Sequence, residues 1–238
     1  ITITPPIPPV TELTSSEHFN EANLPQGTSG NSQALTKVID IPEHYSPVTS
    51  ASEGWTQSGS SFTKTMANGY LRYENGELTF TLTSAAQHGA AGRDSLEINA
   101  GQIKLVDIKG NPCLVDVIIP IDDDVPLVEF AVDGMDAATG LYDVGAGNSV
   151  TGVLELEAGA DGLASVTING RDISTGTAAR PVVISDQEGG ILKVWNDNGT
   201  YRFAYESKND SQLTGLKTDR FTVKAVDNDG DEALDVLT

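Results

Sequence analysis

Short runs of β-branched and aromatic residues recur along the chain, separated by glycine, asparagine and aspartate, and helical periodicity is hard to find. Such runs are typical of β-strands. One pair, at 69–74 and 77–82, flanks Asn75-Gly76, a dipeptide that tolerates the positive φ of a tight hairpin. A second pair, at 191–195 and 201–206, flanks a turn at 196–199. The pattern therefore predicts an all-β chain.

The order of these elements repeats between the two halves of the chain. After the first hairpin, strands are predicted at 95–106 and 113–119, and after the second at 220–226 and 232–237. This repetition fits two tandem β-sandwich modules that each bury their own core. We therefore expect a first module at 1–121 with an extended proline-rich lead-in, an acidic linker at 122–126 and a second module at 127–238. Residues 14–32 are mostly polar and are expected to form a loop.

The charge of the chain narrows the classes of partner that it can bind. Acidic residues number 34 against 14 basic ones, which gives a formal net charge of -20. Such a surface repels nucleic acid and anionic membranes, and no apolar run is long enough to insert into a bilayer. Self-repulsion of this size also destabilises the compact state unless cations bind to it. Calcium is therefore a cofactor to look for.

An acidic loop precedes the last predicted strand. Asp227, Asp229 and Asp231 alternate with other residues around Gly230, a layout that allows oxygen ligands to surround a hard cation. An EF-hand is excluded because the closing glutamate and the flanking helices are missing. Taken alone, the loop is explained equally well as a solvated turn.

The acidic linker adds weight to the calcium interpretation. In a sandwich with immunoglobulin-like winding, the loop before the last strand lies at the same end as the first residues of the module. The loop aspartates would then converge on the linker aspartates, and so many carboxylates would repel one another without a cation. Asp161, in the loop after the second strand, is a further candidate, although a plain turn is an equal alternative. The predicted calcium ligands are Asp122, Asp123, Asp124, Asp161, Asp227, Asp229 and Asp231.

The first half of the chain lacks both parts of this site. Its equivalent loop, 107–112, carries Lys109 where the second half has an acidic residue, and its lead-in at 1–10 contains no acid. The joint absence fits a site that a loop and the preceding linker build together.

Several stretches, spread over both halves and in a specific order, resemble the tandem repeats of very large, type-I-secreted RTX adhesins of Gram-negative bacteria. The matching stretches are 20–28 (NEANLPQGT), 88–98 with the following DIKGN loop, 121–126 (IDDDVP), 157–170 (EAGADGLASVTING) and 226–232 (VDNDGDE). The chain departs from the family pattern at Lys109 and Pro112.

The resemblance implies immunoglobulin- or cadherin-like sandwiches in a secreted protein that stays attached to the bacterial surface. It implies a structural extender, stiffened by calcium, that projects ligand-binding domains for cell adhesion and biofilm formation. The expected partners are the neighbouring modules of the same chain, and the molecule is expected to be monomeric. The alternative is a module that itself binds host or biofilm peptides or glycans, through the irregular region at 27–60.

Catalytic chemistry has no support in the sequence. His18, His44 and His88 are scattered without metal-ligand spacing, and no serine lies in a nucleophile elbow. Cys113, the single cysteine, lies in an alternating strand where an inert thiol is expected. We therefore expect the protein not to be an enzyme.

Overall fold

The structure is a computed structural model, and it describes residues 7–29, 31, 35–89, 95–133, 141–208 and 218–238. Over these residues the regular structure consists of β-strands and short 3-10 helices, so the predicted all-β fold is confirmed. The chain divides into two compact units, of which the first includes residues 7–88 and 95–124 and the second includes Val125–Thr238. The division after Asp124 falls inside the predicted linker. In the described part of the chain, no helix is long and apolar enough to cross a membrane.

The first unit is built from two sheets. Its strands are β1 (Glu12–Thr14), β2 (Phe19–Asn20), β3 (Thr36–Val38), β4 (Tyr45–Pro47), β5 (Thr56–Ser58), β6 (Ser61–Met66), β7 (Gly69–Glu74), β8 (Glu77–Leu82), β9 (Ser95–Asp107) and β10 (Pro112–Asp122). Short 3-10 helices include Glu21–Asn23 and Ala51–Glu53. One sheet has the order β1-β10-β9-β4, with β2 also pairing with β10, and the other has the order β3-β8-β7-β6-β5. Phe19 and Phe80, from different sheets, meet edge to face with ring centroids 5.4 Å apart.

The second unit repeats the two-sheet architecture. Its strands are β11 (Leu127–Ala131), β12 (Ser149–Glu157), β13 (Leu163–Ile168), β14 (Arg171–Asp172), β15 (Val182–Ser185), β16 (Ile191–Asp197), β17 (Thr200–Glu206), β18 (Phe221–Asp227) and β19 (Glu232–Leu237). The sheets have the orders β11-β12-β17-β16-β15 and β14-β13-β18-β19. Both contribute to one core cluster, in which Phe130, Leu192 and Phe203 of the first sheet accompany Val166 and Val223 of the second. Each unit is therefore a sandwich with its own core.

The predicted hairpins are present, and their turns explain their registers. Asn75 and Gly76 have φ of 53° and 87°, the left-handed pair that closes a two-residue hairpin, and they join β7 to β8 as expected. The turn in the second unit is shorter than the predicted 196–199, because only Asn198 and Gly199 lie outside β16 and β17. Their φ of 54° and 96° give the same tight turn.

In two strands, β10 and β18, every second side chain is buried, and this alternation ends with a buried aspartate. In β10, Val115, Val117, Ile119 and Ile121 are buried, and Asp123, the next residue in this period of two, is buried as well. In β18, Phe221, Val223 and Ala225 are buried, followed by Asp227. Both units therefore place a buried carboxylate where an inward-facing strand row ends.

Candidate functional site

The turn that joins β18 to β19 forms the acidic turn, defined here as residues 227–231. The backbone N–H of Asp227 donates to the carbonyl of Asp231 at 3.1 Å and closes the turn. Asp227 Oδ1 accepts the N–H groups of Gly230 at 3.0 Å and of Asp231 at 2.7 Å. Gly230 has φ of 109°, a conformation that favours glycine. The turn thereby fixes the Asp227 carboxylate, which is 1% exposed.

The acidic turn gathers three carboxylates, and those of Asp227 and Asp229 contain oxygens that have no donor within the described part of the chain. One oxygen each of Asp227, Asp229 and Asp231 lie within 4.8 Å of one another. Among the residues that the structure describes, Asp227 Oδ2 and both carboxylate oxygens of Asp229 are buried without a hydrogen-bond partner. Burial, reinforced by the neighbouring Asp229, raises the pKa of Asp227 to about 6. A hard cation is the chemical group that would satisfy these oxygens, because calcium takes six to eight of them.

A neighbouring loop of the second unit brings Asp161 to the acidic turn. Asn228 donates its backbone N–H to the carbonyl of Gly162 at 3.1 Å and its side-chain amide to the carbonyl of Asp161 at 2.7 Å. One carboxylate oxygen of Asp161 lies within 4.8 Å of one of Asp229. The structure therefore brings together all four residues of the second unit that were predicted as ligands.

The equivalent turn of the first unit, residues 107–111, is closed by the same backbone hydrogen bond as the acidic turn. It contains one aspartate, where the acidic turn contains three. Asp107 N donates to the carbonyl of Asn111 at 3.0 Å, and Asp107 Oδ1 accepts the N–H groups of Lys109 and Asn111, both at 2.8 Å. The Asn111 side-chain amide donates to Asp107 Oδ2 at 2.9 Å. Hydrogen bonds from Asn111 hold the pKa of Asp107 below its usual value. This turn satisfies its carboxylate with its own donors.

The three predicted linker aspartates are attached to the first unit. Asp122 ends β10, and its Oδ1 lies 2.8 Å from His18 Nδ1 on the surface. Asp124 is 0% exposed and accepts the Thr28 N–H at 3.0 Å and the Thr28 hydroxyl at 2.5 Å. The Asp124 N–H donates to Asp123 Oδ1 at 2.8 Å. These residues therefore form an ordered acidic end of the first unit, not a polar spacer.

Two residues at this end were missed in the sequence. Glu21 opens the 3-10 helix after β2 and is 0% exposed, and its Oε1 accepts the Ala86 N–H at 2.6 Å. The His88 imidazole is also buried, with Nε2 3.5 Å from Glu21 Oε1. One ligand atom each of Glu21, His88 and Asp123 lie within 4.8 Å of one another. The stretch 20–28 of the resemblance contains Glu21, but no spacing rule connects it to His88.

The 3-10 helix that carries Glu21 is held by local interactions. Asn20 caps it, because its Oδ1 accepts the Ala22 N–H at 2.8 Å. The following turn depends on Gly27, where a Cβ atom would lie 2.5 Å from the backbone oxygens of Glu21 and Ala22. The sequence NEANLPQGT thus builds the segment that carries Glu21 into the interior.

A cavity of about 290 Å³ opens in the second unit, with apolar walls that include Val150, Phe221 and Leu237. Its polar side contains Tyr205, whose hydroxyl donates to Asp219 Oδ2 at 2.5 Å. Burial, with a further contribution from Asp219, raises the pKa of Tyr205 well above its usual value. Tyr205 and Asp219 are therefore hydrogen-bonded to each other. The acidic turn differs, because it contains buried carboxylate oxygens without a partner among the described residues.

Comparison with known proteins gives no close relative. No protein-family model matches the sequence, and no curated protein is significantly similar to it. Solved structures with a likeness include the D00-D0 domain of intimin, 13% identical with a TM-score of 0.24 over 85% of this chain and 90% of that chain. A protocadherin fragment, PcdhgB3 EC1-4, is 14% identical with a TM-score of 0.30 over 96% of this chain and 47% of that chain.

A third solved structure contains the fibronectin(III)-like modules of Clostridium thermocellum CbhA. It is 10% identical, with a TM-score of 0.24 over 96% of this chain and 88% of that chain. Likenesses of this size do not indicate a function.

Proposed function

We propose that the chain is a non-enzymatic, calcium-stabilised extender piece of a large secreted adhesin that stays attached to the bacterial surface. Calcium bound at the acidic turn and at the acidic end of the first unit orders the junction and converts a flexible connection into a stiff one. The piece thereby projects ligand-binding domains of the same protein for adhesion and biofilm formation.

The comparison of the two turns carries this proposal. Both turns close through the same backbone hydrogen bond, yet position 111 holds an amide donor and position 231 a carboxylate. In the first turn, the amide satisfies the second oxygen of Asp107. In the second turn, Asp227 Oδ2 is buried without a partner among the described residues, and Asp229 adds two further such oxygens. A bound divalent cation would supply the positive charge that the Asn111 amide dipole supplies in the first unit.

The acidic end of the first unit supports a role at the junction. Asp123 and Asp124 are buried, and the first unit ends with Asp124. A cation held by these carboxylates restrains the backbone at the residue where the chain leaves the first unit. The order of the stretches that resemble RTX adhesin repeats supports the surface-extender role.

Calorimetric titration of calcium into chelator-treated protein tests the proposal. Asp229→Asn replaces one of the two buried carboxylate oxygens by an amide NH2 group and removes the negative charge, so it is expected to lower the affinity of the acidic turn for calcium at least tenfold, about 1.4 kcal/mol. Asp172→Asn is the matched control, because it removes the same charge from an exposed position of the second unit. Equal calcium binding by both variants, or no binding by the unmodified chain, would contradict the proposal.

A further inference from the structure

The two tryptophans of the chain lie in different environments. Trp55, in the first unit, is buried, with 4% of its surface exposed. Trp195, in the second unit, follows Val194, whose side chain belongs to the core of that unit. Successive side chains of a strand point to opposite faces of the sheet, so the Trp195 indole lies on the outer face, where it is partly exposed. Trp195 is therefore available to a ligand, whereas Trp55 is not.

A strip of outward-facing side chains crosses the sheet from Trp195. In the strand registers, Trp195 lies opposite Arg202, and Arg202 lies opposite Val153. Val153 in turn lies opposite Ala131 in β11. Directly opposite residues have Cβ atoms about 4.5–5.5 Å apart, so these four side chains form a continuous set. This set, the Trp195 strip, lines a depression of about 720 Å³.

Two glutamates flank the aliphatic end of the Trp195 strip. Glu129 and Glu155 lie opposite each other in the β11–β12 register and line the same depression. Both residues are exposed. Like charges directly opposite each other destabilise a strand pair, so this arrangement does not serve the fold. The two carboxylates do provide a group of hydrogen-bond acceptors beside the strip.

Arg202 supplies hydrogen-bond donors in the middle of the strip. Its Nε–H donates to Asp197 Oδ2 at 3.0 Å, and 48% of the Arg202 side chain is exposed. A guanidinium group carries five N–H donors in a fixed planar arrangement, so the contact with Asp197 leaves further donors for a ligand. The Trp195 strip thus combines an aromatic ring, aliphatic groups and donors, with acceptors beside it.

These groups select the chemistry of the ligand. Hydroxyl groups both donate and accept hydrogen bonds, and a sugar ring adds an apolar face of C–H groups that can pack on an indole. An anionic ligand would be repelled by the glutamate pair and by the net charge of -20. A cation over the indole would be repelled by the Arg202 guanidinium at the adjacent register position. A neutral ligand rich in hydroxyl groups avoids both conflicts.

We propose that the Trp195 strip and the glutamates beside it bind a neutral oligosaccharide. The corresponding hairpin of the first unit lacks the aromatic residue, because Arg72 lies opposite Thr79 there. The site is therefore a property of the second unit, and it lies outside the irregular region 27–60. Its existence does not depend on calcium binding or on the extender function.

Calorimetric titration with a panel of sugars tests this site. The panel contains neutral oligomers of glucose, galactose, mannose or N-acetylglucosamine, with an oligogalacturonate and a tetralysine peptide as the charged comparisons. At least one neutral oligosaccharide is expected to bind saturably. Trp195→Ala is expected to weaken this binding about tenfold or more, as is typical of a tryptophan at the centre of a binding surface. Tyr70→Ala is the control, because it removes a 37% exposed aromatic side chain from the first unit.

Indole NMR of the unmodified chain gives a second readout that does not depend on how well a variant folds. The chain contains two tryptophans, so Trp55 serves as an internal reference. The bound oligosaccharide should shift the Nε1–H resonance of Trp195 and leave that of Trp55 in place. No shift of Trp195 with any neutral oligosaccharide, binding of a charged probe alone, or unchanged affinity in folded Trp195→Ala would each overturn the proposal. Calcium binding by the acidic turn is measured separately, so neither result decides the other.

Discussion

At the scale of single residues, the two turns differ in charge at two positions, because Lys109 and Asn111 of the first turn correspond to Asp229 and Asp231 of the second. Asn111 closes its turn with a side-chain hydrogen bond to Asp107, whereas Asp231 presents a carboxylate at the equivalent position. The alternation of acids in 227–231 made this turn a candidate from sequence alone. Glu21 and His88 were missed because they are 67 positions apart and meet only through the fold.

Asp231→Asn should convert the acidic turn into a turn of the first kind. The new amide is expected to donate to Asp227 Oδ2, so the calcium-free protein should gain about 1–3 kcal/mol in free energy of unfolding. The same change should abolish the stabilisation that calcium provides at this turn. Urea unfolding with and without chelator measures both effects. A calcium-free variant less stable than the unmodified chain would contradict this interpretation.

The pKa of Asp227 gives a pH prediction with a defined sign. Burial and Asp229 raise this pKa from 3.8 to about 6. Between these two pH values, the folded, calcium-free protein therefore holds a proton on Asp227 that the unfolded chain has released. The stability contributed by this proton is complete below pH 3.8 and is lost as the pH rises through about 6. Carboxyl-carbon NMR of the chelated protein should show Asp227 titrating near 6, and calcium should lower the midpoint. A midpoint near 3.8 without calcium would be inconsistent with the crowded turn.

At the scale of elements, the hairpins could be predicted from short-range sequence patterns. The pairing of strands that are far apart in the chain could not be predicted in this way. β7, β8 and β19 have the predicted bounds, because alternation and turn dipeptides are local signals. Residues 14–32 were expected to be loop, yet Phe19 is fully buried and β2 pairs in parallel with β10. A two-residue strand has no detectable period, and its partner is about a hundred positions away, so local reasoning could not find it.

Gly152 in β12 tests how closely the second sandwich is packed. A Cβ atom there would collide with the Phe203 ring and lie 2.6 Å from the Ala131 carbonyl oxygen. Gly152→Ala is therefore expected to destabilise the second unit by about 1–3 kcal/mol, although alanine is otherwise preferred to glycine within strands. Thr151→Ala, at the exposed neighbouring position, is the control in denaturant unfolding. Equal stability of the two variants would show that the strand can shift to accept the methyl group.

At the scale of the whole molecule, the net charge of -20 and the two buried acidic strand ends have a common consequence. Dispersed surface charges are screened by salt, whereas buried carboxylates are screened much less. Composition alone predicted an affinity for cations without indicating a site. The structure places a buried aspartate at the end of the inward row of both β10 and β18, and the proposed calcium sites use these residues.

A calcium titration followed by amide NMR reports on both turns in one sample. Starting from chelated protein, calcium bound at the acidic turn should produce saturable shifts of the Gly230 and Asp231 amides, whose N–H groups donate to Asp227. The Lys109 and Asn111 amides, which donate to Asp107 in the equivalent turn, should stay in place. Unchanged Gly230 and Asp231 amides at saturating calcium, or equal shifts in both turns, would show that calcium does not bind selectively at the acidic turn.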